Sequence, residues 1–259
     1  MNGALGPCRK PEGVYKRMCG RYTRFAGTEQ IYRHFGVQGP SSESPGAELA
    51  ASWNVTPQSM QPIIRLNPYT GTRELVLMRW GLVPFFAENP TFNYSTINAR
   101  AETLLTKPAF KEPFRRRRCL VPVNSYYEWQ ALDPKGKKKV TWAIGLKTEG
   151  PFALGGIWDR WASPDKQVRL ESYSIITVVP NELLAFMHDR MPLVIDPRDY
   201  TRWLDPGEPQ RPSVDLLRPY DDALMKIWRV KPDVGNVRND RPDLIDPIEP
   251  PEEPPTLFP

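Results

Sequence analysis

The sequence predicts an α+β fold built on a mostly antiparallel or mixed, barrel-like β-sheet with flanking short helices. Short apolar runs are numerous, and no regular helices separate them as they would in a doubly wound fold. Residues 140–146 alternate between larger apolar side chains and Thr, Ala and Gly, which is the two-residue period of a half-buried strand. A turn signal at residues 133–136 lies between two strand-like segments and favours a hairpin.

The individual elements follow from the same patterns. Strands are predicted at residues 63–66, 74–80, 119–123, 140–146, 152–158 and 173–179. Helices are predicted at residues 28–36, 102–105, 182–187, 198–204 and 215–217, and the first ends at Gly36, a residue typical of helix C-termini. Residues 37–48 cluster Gly, Pro and Ser and are predicted to form a loop.

The 259 residues divide into three regions. We expect residues 1–18 to be a leader or an extension upstream of a true start at Met18, and residues 19–239 to be a single catalytic domain. Residues 240–259, acidic and rich in proline, are expected to be a disordered tail. The first seventeen residues lack the apolar centre of a secretory signal, and no run of eighteen apolar residues occurs. A cytoplasmic protein, associated with the nucleoid when bound to DNA, is therefore expected.

Charge is unevenly distributed along the chain. The net charge is +5, yet the last twenty residues hold six acids and one base, so the rest of the chain is strongly basic. A basic body is typical of proteins that bind polyanions, but a solubilising excess of charge would look the same. Both interpretations stay open on charge alone.

The three cysteines are Cys8, Cys19 and Cys119, too few and too irregular for a disulfide framework or a zinc site. No metal and no organic cofactor are predicted. If Cys19 is the first residue, it carries a free α-amine, with a pKa of about 7.7–8.0, beside a thiol. Such an amine condenses with an aldehyde to an imine, and the thiol then adds to the imine carbon and closes a thiazolidine ring. An internal cysteine cannot do this, because its nitrogen is an amide.

Seven short segments stand out in series. They are residues 19–22 (CGRY), 53–57 (WNVTP), 80–84 (WGLVP), 97–103 (INARAET), 118–129 (RCLVPVNSYYEW), 188–192 (HDRMP) and 235–239 (GNVRN). In this order and spacing they resemble the SOS response-associated peptidase family, whose members crosslink to abasic sites in single-stranded DNA.

The resemblance implies four catalytic residues. Cys19 matches the family's nucleophile, and Asn98 matches an asparagine whose amide orients the amine and the opened sugar. Glu128, flanked by aromatic residues, matches a glutamate that protonates the ring oxygen of the closed sugar. His188 matches a histidine that exchanges a proton near neutral pH. Taken without the resemblance, each has a structural alternative, such as a buried thiol, a helix cap or a helix C-terminal histidine.

The resemblance also implies a DNA-binding surface. Arg21, Arg100 and Arg190 match arginines that contact DNA, Arg100 through phosphate. Phenylalanines lie where the family has bulky residues against unstacked bases, and ordinary core packing is the alternative for each of them; they are Phe85, Phe86 and Phe110. The expected partner is single-stranded DNA containing abasic sites. The protein is expected to be a monomer and not to bind a membrane.

The sequence therefore predicts an enzyme that crosslinks to abasic DNA, with autoproteolysis of the leader and abasic-site lyase activity as accompanying reactions. Two alternatives stay open. One is a cysteine peptidase that acts on proteins through Cys19, His188 and Asn98. The other is a non-catalytic module that binds single-stranded DNA reversibly.

Overall fold

The computed structural model describes residues 20–38, 49–91, 93–207 and 212–249, and the statements below concern these residues. The strands are β1 (Tyr22–Arg24), β2 (Ser52–Val55), β3 (Met60–Leu66), β4 (Arg73–Trp80), β5 (Asn98–Arg100), β6 (Arg118–Val123), β7 (Ser125–Ala131), β8 (Lys139–Leu146), β9 (Phe152–Ala162), β10 (Arg169–Val178), β11 (Met191–Pro192), β12 (Val194–Ile195) and β13 (Met225–Val230). The α-helices are α1 (Thr28–Phe35), α2 (Pro108–Arg116) and α3 (Tyr200–Leu204).

Five strands close into a barrel in the order β10–β4–β3–β6–β9, because β9 also pairs with β10. The β10–β4 pair is parallel and the other four pairs are antiparallel. Short strands extend this barrel, with β5 and β11 on β10 and β12 on β9. A second sheet, antiparallel throughout, has the order β13–β8–β7–β1–β2. The predicted α+β fold with a mixed, barrel-like sheet is confirmed.

Alternation along the strands explains how the two sheets pack. On the second sheet Tyr126 and Ile144 face the main core, which also fills the barrel. Their neighbours Tyr127 and Ala143 point to the opposite face, into a smaller cluster with Val234 and Leu244. The second sheet is thus covered on both faces.

Strand β9 approaches its neighbours closely at two glycines. A Cβ at Gly156 would lie 2.9 Å from the Cys119 sulfur, and a Cβ at Gly155 would lie 2.8 Å from a Leu193 methyl group. Any side chain at these positions would force the barrel apart, so the pair of glycines sets the spacing of β6, β9 and β12.

The predicted helices have mixed outcomes. The segment predicted at residues 28–36 is α1, whereas residues 182–187 form successive turns instead of a helix. The Asn181 side chain accepts a hydrogen bond from the Leu184 amide at 3.1 Å, and the Met187 amide donates to the Leu184 carbonyl three residues back, as in a turn, at 3.1 Å. Helix α2 has little sequence signal because of Pro108 and Pro113, yet Pro108 takes the first helical position, where an amide hydrogen is not needed.

The acidic segment after residue 239 departs from the expected disorder as far as residue 249. Leu244 is buried, the Trp228 indole donates to the Ile245 carbonyl at 2.8 Å, and the Ile248 amide donates to the Arg229 carbonyl at 2.9 Å. Asp240 accepts from the Trp53 amide and from the Ser52 hydroxyl. Residues 240–249 thus pack on the second sheet; residues 250–259 lie outside the described part of the chain.

Candidate active site and nucleic-acid interface

Three of the seven segments meet at one polar cluster. The Asn54 amide nitrogen donates to the carbonyls of residues 234, 236 and 239, at 3.2, 3.1 and 2.6 Å. The Arg21 guanidinium donates to Asn54 Oδ1 at 2.9 Å and to the Val234 carbonyl at 2.7 Å. Arg21, predicted to contact DNA, therefore holds the 234–239 loop against strand β2 through these bonds.

The segment at residues 80–84 is joined to the one at residues 97–103. The buried Trp80 indole donates to the Ile97 carbonyl at 3.0 Å, and the Leu82 amide donates to the Thr96 carbonyl at 3.2 Å. Trp80 also packs against Tyr22, with ring centroids 5.1 Å apart, so β1 and the start of β5 share one buried support. The Tyr22 hydroxyl lies 2.8 Å from that of Tyr173, and burial raises the pKa of Tyr173 well above its usual range.

Strand β5 presents two of the predicted residues on one side. Ala99 is fully buried, whereas Asn98 is half-buried and Arg100 is exposed, as the alternation of a strand requires. The strand is held parallel to β10, with Asn98 opposite Ile175 and Arg100 opposite Thr177. Asn98 and Arg100 therefore share a surface at this edge of the barrel.

Arg190 connects that edge to the loop that follows β10. Its guanidinium donates to the Thr177 carbonyl at 2.5 Å and to Glu102 Oε1 at 2.5 Å, and its side chain is mostly buried. The hydrogen bond from Arg190 lowers the pKa of Glu102. Arg190 and Arg100 thus both lie close to the Glu102 carboxylate. A phosphate bound by these arginines would have to compete with that carboxylate.

Glu128 and His188, which are sixty residues apart in the chain, line one small pocket together with Arg190. Glu128 is on β7 and is 5% exposed, and His188, at the end of the 181–188 turns, is 4% exposed. The lining consists of Tyr126, Glu128, Ile144, Leu184, Met187, His188, Arg190 and Met191. A carboxyl and an imidazole in a mostly apolar wall form a pair suited to proton transfer.

The Nδ1 atom of His188 faces two partners that require different protonation states. The Arg190 amide donates toward it at 3.1 Å, which needs a bare nitrogen, and the Asp189 carboxylate lies 2.8 Å away, which needs a proton on that nitrogen. Since Asp189 is 68% exposed, its carboxylate is free to turn into water when the nitrogen is bare. The two contacts at Nδ1 are therefore alternatives: the Arg190 amide needs the proton to be absent from this nitrogen, and the Asp189 carboxylate needs it to be present.

The start of the described chain runs beside Glu128. Strand β1 pairs with β7 with Tyr22 opposite Tyr126, and the Tyr127 amide donates to the Arg21 carbonyl at 3.1 Å. Continued in the same register, Gly20 comes opposite Glu128. Cys19, the predicted nucleophile, is the preceding residue and lies outside the described part of the chain.

The three phenylalanines separate into two environments. Phe85 and Phe86 are 58% and 53% exposed and pack edge to face, with ring centroids 5.3 Å apart. The Phe85 amide donates to the buried Asp159 carboxylate at 3.0 Å. Burial raises the pKa of Asp159, and Arg117, 3.1 Å away, opposes that shift. Phe110 is only 4% exposed in the main core, so its ring is not available for stacking on a base.

Other features of the described residues do not add to this site. No group of three possible metal ligands occurs among them. A larger pocket, of about 360 Å³, lies between residues 194–199 and 216–224 and contains none of the predicted residues. None of their helices is long and apolar enough to cross a membrane.

Several residues of the site have weak sequence signals. Asn54 and Glu102 lie inside the seven segments, but only the structure links Asn54 to the 234–239 loop and Glu102 to Arg190. Trp142 is opposite Glu128 on the neighbouring strand. The turn between β7 and β8 is closed by the hydrogen bond from the Leu132 amide to the Lys138 carbonyl, and it sets the Glu128–Trp142 pairing. The turn signal at residues 133–136 predicts the hairpin, but the pairing also depends on the length of the loop.

The described chain combines a closed mixed barrel with a small pocket lined by Glu128, His188 and Arg190, beside the strand edge that carries Arg100. The family described as SOS response associated peptidase (SRAP) matches residues 18–237, and the chain belongs to that family.

Similar proteins of known name cover nearly the whole chain. Abasic site processing protein YoqW of Bacillus subtilis (strain 168) is 36% identical over 230 residues, which are 88% of this chain and 99% of that protein. Abasic site processing protein HMCES of Gallus gallus is 29% identical, over 90% of this chain and 78% of that protein. A crystal structure of a protein from Bacteroides thetaiotaomicron matches with a TM-score of 0.76 and 27% identity, over 89% of this chain and all of the other.

Proposed function

We propose that this chain processes abasic sites by forming a covalent crosslink between Cys19 and the sugar in single-stranded DNA. The observation that carries the proposal is the shared pocket of Glu128, His188 and Arg190, beside the strand that begins just after Cys19. Membership of the SRAP family and the names of the relatives support the same substrate.

Glu128 acts first, as a general acid. An abasic sugar is mostly a closed hemiacetal, and protonation of its ring oxygen releases the aldehyde. The carboxyl of Glu128 is 5% exposed, so a proton transferred from it to the sugar does not have to pass through bulk water. His188 and Asn98 assist, since an imidazole can carry the proton and a side-chain amide can orient both the amine and the opened sugar.

The bond-forming steps need no oxidant or cofactor. The α-amine of Cys19 adds to the aldehyde carbon, and loss of one water gives the imine. The thiol sulfur then adds to the imine carbon, and the thiol proton moves to the nitrogen. The product is a thiazolidine ring that joins the protein to the DNA.

Two accompanying reactions follow from the same groups. While the adduct is an imine, the protons on the sugar carbon adjacent to the imine carbon are acidic. Loss of one of them allows β-elimination of the phosphate, which cleaves the strand as a lyase does. If a leader precedes Cys19, attack of the thiol on the Met18–Cys19 peptide bond, followed by hydrolysis, would free the amine. Removal of an initiator Met18 would do so as well.

The DNA is held mainly through charge and stacking. Arg100 is exposed beside Asn98. Arg190 is held at the same edge by its bond to Glu102, and a DNA phosphate would compete with that carboxylate for its guanidinium. Phe85 and Phe86 form an exposed pair suited to stacking on unpaired bases, at roughly 1–3 kcal/mol for each base. Phe110 is left out of this surface because it is buried.

A denaturing gel of the protein with single-stranded DNA separates this proposal from its rivals. Protein that begins at Cys19 should form a band stable to heat and detergent with abasic DNA and none with undamaged DNA. Cys19→Ala should give only an imine that borohydride traps, whereas Cys119→Ala, which removes a buried thiol of β6, should behave as wild type.

Two results would favour the alternatives. Cleavage of added peptides without any crosslink would point to a cysteine peptidase. Reversible, salt-sensitive binding that ignores abasic sites would point to a binding module.

A further inference from the structure

A cross-strand row of three side chains leads away from the proposed active site on the second sheet. Glu128 on β7 is opposite Trp142 on β8, and Trp142 is opposite Arg229 on β13. Directly opposed residues of antiparallel strands are about 4.5–5.5 Å apart and project to the same face. The row therefore continues the wall of the Glu128–His188 pocket towards the edge of the sheet.

The rows of side chains next to Glu128 show where the core ends. The next row inward, formed by residues 126, 144 and 227, packs in the main core. Trp142 is half-buried, and its indole donates to Gln130 Oε1 at 3.0 Å, which fixes the plane of the ring. The Glu128 row is thus the boundary between the core and the solvent.

An exposed phenylalanine completes this boundary. Phe186 is 52% exposed and packs edge to face on Trp142, with ring centroids 5.6 Å apart at 85°. It stands two residues before His188, so the same turns carry the imidazole of the pocket and this ring. Phe186 and Trp142 together place two aromatic rings at the solvent boundary beside the Glu128–His188 pocket, and exposed aromatic rings are the side chains on which unpaired bases stack.

Arg229 adds a positive charge to the row. Within the described residues its guanidinium has no ion pair, and its buried Nε atom has no hydrogen-bond partner. Its neighbour directly across the sheet is Trp142, and the backbone carbonyl of Arg229, rather than its side chain, accepts from the Ile248 amide. The charge of Arg229 is therefore available to an anion.

We propose that Trp142, Phe186 and Arg229, the aromatic ledge, bind the nucleotide next to the abasic sugar. Its base stacks on the aromatic pair, and its phosphate contacts Arg229. An abasic sugar offers no base of its own, so only a neighbouring nucleotide can supply stacking energy to hold the sugar over Glu128. This inference rests on the proposed function and adds to it the recognition of the flanking base, on a sheet separate from the Phe85–Phe86 pair.

The test measures how affinity depends on the flanking base. Single-stranded oligonucleotides carry an abasic site whose neighbour, on one side or the other, is a purine, a pyrimidine or a spacer without a base. On one side, wild type should lose roughly fivefold to 150-fold in affinity when the base is absent. Phe186→Ala should depend less on that base, because only Trp142 of the aromatic pair remains to stack on it. A dependence as large as that of wild type would overturn the proposal.

Matched variants keep the result interpretable. Tyr69→Ala is the control, since Tyr69 is 92% exposed in the turn before β4, whereas the site gathers around the other end of that strand, at Trp80. If Phe186→Ala unfolds, Phe186→Leu replaces it, because leucine keeps apolar volume but removes the ring. Folding is checked by circular dichroism.

The charge of the ledge is tested on undamaged single-stranded DNA. Arg229→Gln should lower the slope of log K against log salt by about 0.7, the value for one lost phosphate contact. Arg33→Gln is the control: Arg33 is exposed on α1, is paired with Glu29 and is not part of the ledge, so the slope should stay unchanged. An unchanged slope in Arg229→Gln would overturn the phosphate contact.

Failure of the ledge and failure of the proposed function give different results. If wild type crosslinks to abasic DNA but the ledge variants match it on every oligonucleotide, only the proposed role of the ledge is wrong. If wild type does not crosslink at all, the proposed function is wrong.

Discussion

At the scale of single residues, the pocket combines a buried acid with a histidine that has alternative partners. Glu128 is nearly inaccessible, and the amide of Trp129 donates to it at 3.3 Å. His188 Nδ1 lies 3.1 Å from the Arg190 amide nitrogen and 2.8 Å from an Asp189 carboxylate oxygen. A partner is therefore at hand for this nitrogen whether or not it carries a proton.

Replacing Glu128 separates chemistry from binding. Glu128→Gln keeps the shape of the side chain but cannot protonate the sugar ring oxygen. We expect the crosslinking rate to fall by about 10²–10⁴, with much smaller change in affinity for single-stranded DNA. Stopped time courses on gels give the rate and fluorescence anisotropy gives the affinity, with Glu149→Gln, an exposed carboxyl after β8, as the control. Equal losses in rate and affinity would assign Glu128 a structural role.

Glu102 should make stability depend on acid. Its bond with Arg190 lowers its pKa in the folded protein below the ordinary 4.5, so its contribution is fully present above pH 4.5 and is lost as the pH falls through the lowered value. Because the carboxylate is half-exposed, the contribution is at most about 1 kcal/mol. Urea unfolding of wild type and Glu102→Gln at a series of pH values should show a difference that shrinks in acid. A difference that grows in acid would contradict this assignment.

Sequence and resemblance together could predict the members of the pocket but not their partners. Glu128 and His188 each stand in a short sequence segment and have side chains able to transfer protons, so they can be recognised before the fold is known. The bonds of Arg21 to Asn54 and of Arg190 to Glu102 span 33 and 88 residues. Only the closure of the barrel and the register of the strands bring such residues together, and neither can be read from local patterns.

At the scale of elements, the 83–91 loop is fixed at several points and presents Phe85 and Phe86 outward. The Val83 amide donates to the Ser172 hydroxyl at 2.8 Å, and the Phe85 amide donates to Asp159. Farther along, the Trp161 indole donates to the Ala87 carbonyl at 2.7 Å. These bonds come from β9 and β10, so the barrel itself holds the exposed pair in place.

Asp159 is therefore expected to act on DNA binding through the loop. Asp159→Ala removes the acceptor of the Phe85 amide and should weaken single-strand binding by roughly 1–3 kcal/mol, as losing stacking on one base would. Asp159→Asn, which keeps an acceptor oxygen, should retain more of the affinity. Anisotropy measures both variants.

The same loop allows a check by non-additivity. In an Asp159→Ala background, further replacement of Phe85 and Phe86 by Ala should cost less than it does in wild type, because the pair is already misplaced. Fully additive losses would show that Asp159 does not position the pair.

Element prediction succeeded where the pattern is local and failed where packing decides. The alternation at residues 140–146 corresponds to β8, and the pattern at residues 28–36 corresponds to α1. Strand β5 has only three residues, and pairing with β10 alone defines it. The packed segment at residues 240–249 looks disordered in composition, yet Leu244 and Ile245 give it apolar contacts with the second sheet.

At the scale of the whole molecule, the barrel and the second sheet converge on the beginning of β1. Tyr22 packs against Trp80 of the barrel, while the same strand pairs with β7 beside Glu128. The first described residues of the chain therefore lie between the barrel and the Glu128 pocket. A chain that continues before Cys19 has an amide there and cannot form the imine.

The N-terminus should accordingly control activity. Protein that begins at Cys19 should crosslink at once, whereas protein that retains residues 1–18 should be inert until it loses them. If the leader is removed by the protein itself, its loss should fail in Cys19→Ala and slow in Glu128→Gln. Intact mass, followed over time beside the crosslinking gel, reports both events. Full activity from protein whose mass shows an uncleaved leader would contradict the need for a free amine.

The most direct test is the mass of the adduct between protein that begins at Cys19 and an abasic oligonucleotide. The adduct should have the sum of the two masses less one water, should be stable without borohydride, and should carry the modification on the peptide that contains Cys19. An adduct located on a lysine, or one that survives only after borohydride reduction, would contradict the thiazolidine mechanism.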